Sequence, residues 1–169
     1  MTTQTKKTTT KRKAPVKRVK LPPNPFIHEI LELVSEQRTK AKRVEILKEY
    51  RDDSLTAVLI WNFDERVQSA IPDGQVPYEP NDVPIGTDHT SLRREWKTLY
   101  HFIKGGNNTL SGLRRESMFI QLLEGLHPKE AEIICLVKDK ELEEVYPKVT
   151  LDVVKEAFPD IVWGENRGT

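Results

Sequence analysis

Four histidines, one cysteine and several carboxylate groups are the side chains of this 169-residue chain that could do acid–base, nucleophilic or metal chemistry. The histidines, His28, His89, His101 and His127, share no ligand spacing. No HExxH, CxxC, GxGxxG or GxxxxGK[ST] pattern is present. His28 reads as a solvated or capping histidine, and His127, directly before Pro128, as a helix-cap residue. Cys135 lies inside an apolar helical pattern and reads as a small core residue, because a nucleophilic thiol needs an activating base that no motif supplies. Glu141, Glu143 and Glu144 form a solvated run, not a paired acid and base. Asp73, Glu79, Asp82 and Asp88 invite a metal site, but their spacing matches no EF-hand, and Pro77, Pro80 and Pro84 describe an extended strap. The expectation is a protein with no catalytic residue, no metal and no cofactor.

The remaining chemistry is that of fixed positive charge. The formal net charge of +1 conceals a division. Residues 1–20 hold eight of the 27 Lys and Arg, among them Lys11, Arg12, Lys13, Lys17 and Arg18, and no acid. The rest of the chain therefore carries 19 basic against 26 acidic residues, a net of −7. A Thr- and Lys-rich tail of this kind cannot bury a core and is expected to be disordered alone. It could hold phosphate through counterion release, act as a solubilising leader, or tether an acidic protein. Leu21-Pro-Pro-Asn-Pro25 follows as a stiff spacer, so residues 1–24 are tail and 25–169 the folded body.

Any charge on the body must be positioned by helices. Ile27, Ile30, Leu31 and Val34 have helical spacing; Thr39 is a plausible N-cap for Lys40 to Tyr50; and Asp52-Asp53-Ser54 starts Leu55 to Phe63. That last run could be strand or helix, and its acidic start favours helix. Residues 71–90 are a long Pro- and Gly-rich loop. Ser91 to Lys104 then reads as one helix, with Leu92, Trp96, Leu99 and Ile103 buried and Arg93, Arg94, Lys97, His101 and Lys104 on a wet basic face. The turn from Gly105 to Gly112 leads into a helix carrying Leu113, Phe119, Leu122 and Leu123, ending at Gly125. Pro128 and Glu130 open a helix with Ala131, Ile133, Ile134, Leu136 and Val137 on its apolar side, and Thr150 caps a last one that stops before Pro159. Trp163 is either a lid on the core or an exposed anchor. The fold class expected is all-α, a compact bundle of about six to seven helices.

The composition limits the setting too. A hydrophobic content of 37% supports one modest core. No run of about 18 apolar residues could span a membrane, and the basic N-terminus lacks the apolar stretch of a secretory signal. One cysteine forms no intrachain disulfide, which suits a reducing, cytoplasmic location.

The order of elements resembles the N-terminal, all-helical DNA-binding domain of ATP-dependent DNA ligases, particularly the compact phage ligase of the T4 type. Ile30-Leu31, then Thr39-Lys-Ala-Lys42 leading to Glu45-Ile-Leu-Lys48, looks like that domain's first helical hairpin. Asn108-Thr-Leu-Ser-Gly112 is similar to its Thr-Gly-Asn turn; Ala131-Glu-Ile-Ile and Val137-Lys-Asp-Lys140 resemble its next helix; and Val153-Val-Lys155 with Phe158-Pro159 resembles its terminal segment. The adenylated-lysine motif Lys-x-Asp-Gly and a nucleotidyltransferase domain are absent, so the resemblance is to the domain standing alone. It implies a non-catalytic protein that grips the backbone of duplex or nicked DNA with little regard to sequence, phage-encoded and acting in the host cytoplasm. By motif match it implies contacts from Lys40, Lys42, Thr109, Ser111 and Gly112. Charge and position add Arg93, Lys97, Lys104, Arg114 and Arg115. The competing expectation is a helical adaptor or virion structural protein, engaging a protein partner through its tail or a surface bearing Trp61 or Trp163.

Overall fold

The starts of the helices are set by short polar side chains that satisfy the backbone N–H groups a helix leaves open. Thr39 accepts from Lys42 N (3.3 Å), Asp52 from Leu55 N (2.7 Å), Ser111 from Arg114 N (3.2 Å) and Thr150 from Val153 N (3.4 Å). His127 plays the same part through Nδ1, accepting from Lys129 N at 3.1 Å, immediately before Pro128. The helices in this computed structural model, which describes residues 21–82 and 89–164, are α1 (Ile27–Glu36), α2 (Lys40–Glu49), α3 (Asp53–Phe63), α4 (Leu92–Glu95), α5 (Gly112–Gly125), α6 (Pro128–Lys138), α7 (Leu142–Val145) and α8 (Leu151–Ala157). A 3-10 helix, Trp96–Phe102, continues α4. Only two isolated β-bridges, Ser69 with Ile103 and Thr90 with Leu126, occur among the described residues, and the fold is all-α. The candidate tail residues Lys11, Arg12, Lys13, Lys17 and Arg18, together with Pro84 and Asp88 of the long loop, lie outside the described residues.

One continuous apolar cluster runs from Ile27 to Phe158 and draws on every helix. α3 is buried along most of its length and packs on α6 and α4; α2 lies against α1 and α8; α5 covers α6 and the 3-10 helix. Trp61 is 1% exposed, with its indole N–H donating to Ser69 Oγ at 2.8 Å. It is core and offers no surface to a partner. Trp163 is half-buried on the core, its Nε1 3.4 Å from Phe158 O, which makes it a lid.

Two buried polar side chains and one exposed lysine tie separate elements together. Glu130 accepts from Ile27 N (3.0 Å) and Leu92 N (3.1 Å), so one carboxylate closes the open ends of α1 and α4 from the first turn of α6. Burial pushes its pKa up, against the pull of those two backbone donors. Lys138, 2% exposed, donates to Pro72 O, Gly74 O and Asp139 and so anchors the strap at 71–82. Lys140, held at φ 57°, donates to Trp61 O (2.8 Å) and Asp64 O (2.9 Å) at the end of α3, the second carbonyl also accepting from Val67 N (3.0 Å).

Four sequence expectations need correction. Ser91 to Lys104 is not one α-helix. Thr98 Oγ1 donates to Glu95 O (2.7 Å), and residues 68–70 capture the far end, Ala70 N donating to Phe102 O (2.7 Å) and Lys104 N to Gln68 O (2.8 Å). These bonds draw the segment into a tighter 3-10 winding, which replaces steps of about 100° by about 120° and breaks the single basic face. His28 is buried, not solvated: it stacks on His127 (4.6 Å between ring centroids) and Phe26 (5.5 Å), and its Nδ1 has no partner among the described residues. Burial, then the neighbouring His127, holds its pKa down at about 4. Leu113 is 79% exposed, because the apolar stripe of α5 begins only one turn further on. The run of Glu141, Glu143 and Glu144 is solvated as expected but also carries a short helix that its sequence does not announce, α7, closed at its start by Asn62 Oδ1 accepting from Leu142 N at 3.1 Å.

Candidate nucleic-acid interface

The basic residues singled out in the body fall into two regions. Lys40 and Lys42 stand at the start of α2, on the α1–α2–α8 side. Lys40 pairs with Glu156 at 3.2 Å in an exposed ion pair, and Lys42 is exposed. Arg93 points the other way. Its guanidinium reaches Asp52 at 2.7 Å and Pro25 O at 3.4 Å, so it joins α4 to the start of α3. Arg94, next to it, is exposed.

The second region is the 3-10 helix, the turn after it and the first turn of α5. Phe102 and Phe119 meet edge to face at 5.1 Å between centroids and lock the two helices together. The connecting turn folds back tightly. Gly105 adopts φ 85°, and a Cβ on Gly106 would sit 1.9 Å from Tyr100 O, so only glycine fits there. Asn107 Oδ1 accepts from Thr109 N (3.1 Å) and Thr109 Oγ1 (2.6 Å), while Asn107 Nδ2 lies 3.0 Å from His101 Nδ1. Arg115 closes the arrangement: Nε donates to His101 O (2.9 Å), and Nη2 to Asn107 O (2.8 Å) and Leu110 O (3.4 Å).

Arg115 is therefore a clamp on the turn, its donors turned inward. Thr109 is exposed with its hydroxyl given to Asn107, and the Ser111 hydroxyl caps α5. A Cβ on Gly112 would meet open space, so close packing does not demand glycine at this position. What the clamp leaves outward is Lys104 and Arg114, both exposed and with no carboxylate partner among the described residues, and Lys97, whose ammonium lies 5.8 Å from the Trp96 ring. Between them Tyr100 is 49% exposed. Sequence reasoning missed Tyr100, Gly106 and Asn107. The Gly-Gly-Asn-Asn run marks a turn, but not which of its members bear the weight.

Physically this edge offers three cations, an exposed aromatic ring and the N-terminus of a 14-residue helix on one rigid hairpin. Such a set suits phosphate oxygens and an adjoining base or sugar. Among the described residues no group of three His, Cys, Asp or Glu side chains could hold a metal ion, and no helix is long and apolar enough to cross a membrane. No curated protein and no solved structure matches the chain. Residues 30–144, from within α1 to α7 and including the whole 97–115 edge, match one family, and the chain belongs to it: DUF6433, a family of unknown function.

Proposed function

We propose that this protein is a non-catalytic nucleic-acid-binding accessory protein that grips the backbone of duplex or nicked DNA, acting in the cytoplasm of a phage-infected host. The observation that carries the reading is the division of labour between two neighbouring arginines. Arg115 holds the turn at 103–111 rigid through three backbone carbonyls, while Arg114, Lys104 and Lys97 are left facing solvent around exposed Tyr100. A preorganised cationic edge loses little freedom on meeting a phosphate chain. The resemblance to the DNA ligase domain supports the same reading through Thr109, Ser111 and Gly112, which border this edge. The basic tail would add affinity that depends on salt and not on sequence. The adaptor reading is left with exposed side chains far apart in sequence, Leu113, Val145 and the 78% exposed Val162, which are ordinary on a protein surface.

The test is duplex binding, nicked and intact, across a salt series with the full-length chain. Replacing Lys97, Lys104 and Arg114 together by Gln should flatten the plot of log K against log salt by about three, near 0.9 for each phosphate no longer neutralised. A parallel full-length variant with the tail Lys and Arg changed to Gln isolates the tail's share. If the triple variant binds as the parent does, and all affinity leaves with the tail charges, the body is not a DNA-binding surface.

A further inference from the structure

Beside the basic edge, between the 3-10 helix and α5, lies an open cleft of about 300 Å³ whose walls include Glu95, Thr98, Phe102, Met118, Gln121 and Leu122. The 3-10 winding is what builds it. At three residues per turn, Glu95, Thr98 and His101 stack on one side of that segment and line the cleft together, while Lys97 and Tyr100 stack on the next side along. On α5, Met118 and Gln121 lie one and two turns beyond Arg114 on the same stripe, so the cleft runs directly on from the Arg114 end of the edge.

The lining is divided by chemistry. Half-buried Met118 supplies the accessible apolar wall for a flat ring, backed by buried Phe102 and Leu122, and Phe102 is itself braced by Phe119. Glu95 supplies a carboxylate whose Oε1 is fixed by the Thr90 hydroxyl at 2.9 Å, with its remaining lone pairs available. His101 has Nδ1 engaged with Asn107 and serves as wall. A space near the small end of ligand-binding pockets, one apolar wall, one oriented acceptor group and a neighbouring amide from Gln121 fit a single planar heterocycle.

We propose that this cleft receives one unstacked nucleobase, guanine above all, from a strand held on the neighbouring basic edge. The inference rests on the nucleic-acid reading given above and adds the site at which that strand is examined. A carboxylate only accepts hydrogen bonds, and guanine alone presents two adjacent donors, N1–H and the N2 amino group, to one carboxylate. Thymine offers one N–H between two carbonyl oxygens, which the carboxylate repels. A base already unpaired enters at little cost, whereas one stacked in intact duplex must first be pulled out.

The experiment measures affinity of the full-length protein for three short duplexes: one intact, one with a single bulged guanine and one with a single bulged thymine. The guanine bulge is expected to bind about tenfold tighter than the thymine bulge, the discrimination one bidentate pair supports. Glu95→Gln, which turns a pure acceptor into a mixed donor and acceptor, should bring that ratio close to one. Gln121→Trp, at an exposed position, fills the cleft and should bring both bulges to the intact-duplex value. Equal wild-type affinity for the two bulges, or a ratio unmoved by both substitutions, overturns the cleft while leaving the backbone-binding edge standing. Failure to bind any of the three duplexes overturns both readings.

Discussion

Two connections in this chain are built from basic residues, and they use them in opposite ways. The end of α6 and the connection after it hold Lys138 and Lys140, and both ammonium groups donate to backbone carbonyls, of residues 72 and 74 in one case and 61 and 64 in the other. The stretch from the 3-10 helix through the turn into the first turn of α5 draws in only Arg115 and leaves Lys97, Lys104 and Arg114 outside. The physical difference is the supply of bare carbonyls. The end of α3 and the strap at 71–82 leave several C=O groups without helical partners, and a long cationic side chain satisfies them better than water can reach them. At the α5 turn a single guanidinium, with its fork of donors, suffices for the whole turn. Positive charge is structural where the backbone needs donors, and becomes available to a partner only beyond that need.

The largest effect expected from this comparison is at Lys138. Lys138→Met keeps the length of the side chain and removes the donor, stranding Pro72 O, Gly74 O and the Asp139 carboxylate. A loss of about 3–5 kcal/mol of unfolding free energy is expected, the cost of breaking a buried charged pair from one side. Chemical denaturation at pH 7 measures it. A loss under about 1 kcal/mol would mean that the strap takes its carbonyls to water, and that this connection does not differ from the other.

The next effect is at the opposite end of α6, where a histidine is buried without the donor-for-carbonyl logic. His28 is packed against His127 and Phe26, and its folded pKa of about 4 lies below the ordinary 6.5. Protonation therefore favours the unfolded chain. The stabilisation of the neutral form is complete above about pH 6.5 and is lost as the pH falls toward 4, by about 3 kcal/mol in all. The groups facing this ring are His127 at the N-cap of α6, Lys129 in its first turn and Glu32 of its own helix; His127 and Lys129 deepen the depression and the carboxylate opposes it. His28→Phe should remove that part of the slope between pH 6.5 and 4. An unchanged slope would assign the acid sensitivity elsewhere.

Much of this architecture is legible in the sequence because it rests on local chemistry. Thr39, Asp52, His127 with Pro128, and Thr150 announce their helices by residue type alone, and the apolar periods of α1 and α6 show which sides face inward. What is not legible comes from distant partners. The 3-10 winding of 96–102 depends on Gln68 and Ala70 capturing its end, and the burial of His28 depends on His127, some hundred residues away. Glu130 reads as a first-turn carboxylate suited to the helix dipole, yet it closes the ends of two other helices. The candidate interface is legible as charge and illegible as commitment. Nothing in Arg114-Arg115 says which of two identical neighbours is clamp and which faces a partner; that is fixed by the phase of α5 relative to the carbonyls of residues 101, 107 and 110.

That adjacent pair gives the finest division of the comparison, and the smallest effects. Arg115→Gln removes a forked donor from three carbonyls of a half-buried turn, and a loss of about 1–2 kcal/mol of stability is expected, since part of the turn can rehydrate. The same substitution should also weaken duplex binding, because the cations around the turn are no longer held in register. Arg114→Gln touches no internal partner among the described residues, so the unfolding midpoint should stay where it is, while the salt slope of DNA binding falls by about one. The two single variants thus predict a crossed pattern: one moves stability and affinity together, the other moves affinity and its salt slope without moving stability. The double variant should show the two stability changes simply adding, because Arg114 contributes nothing to the clamp. If Arg114→Gln instead lowers the midpoint, Arg114 shares the clamp, and the cations available to a phosphate chain on this edge reduce to Lys97 and Lys104.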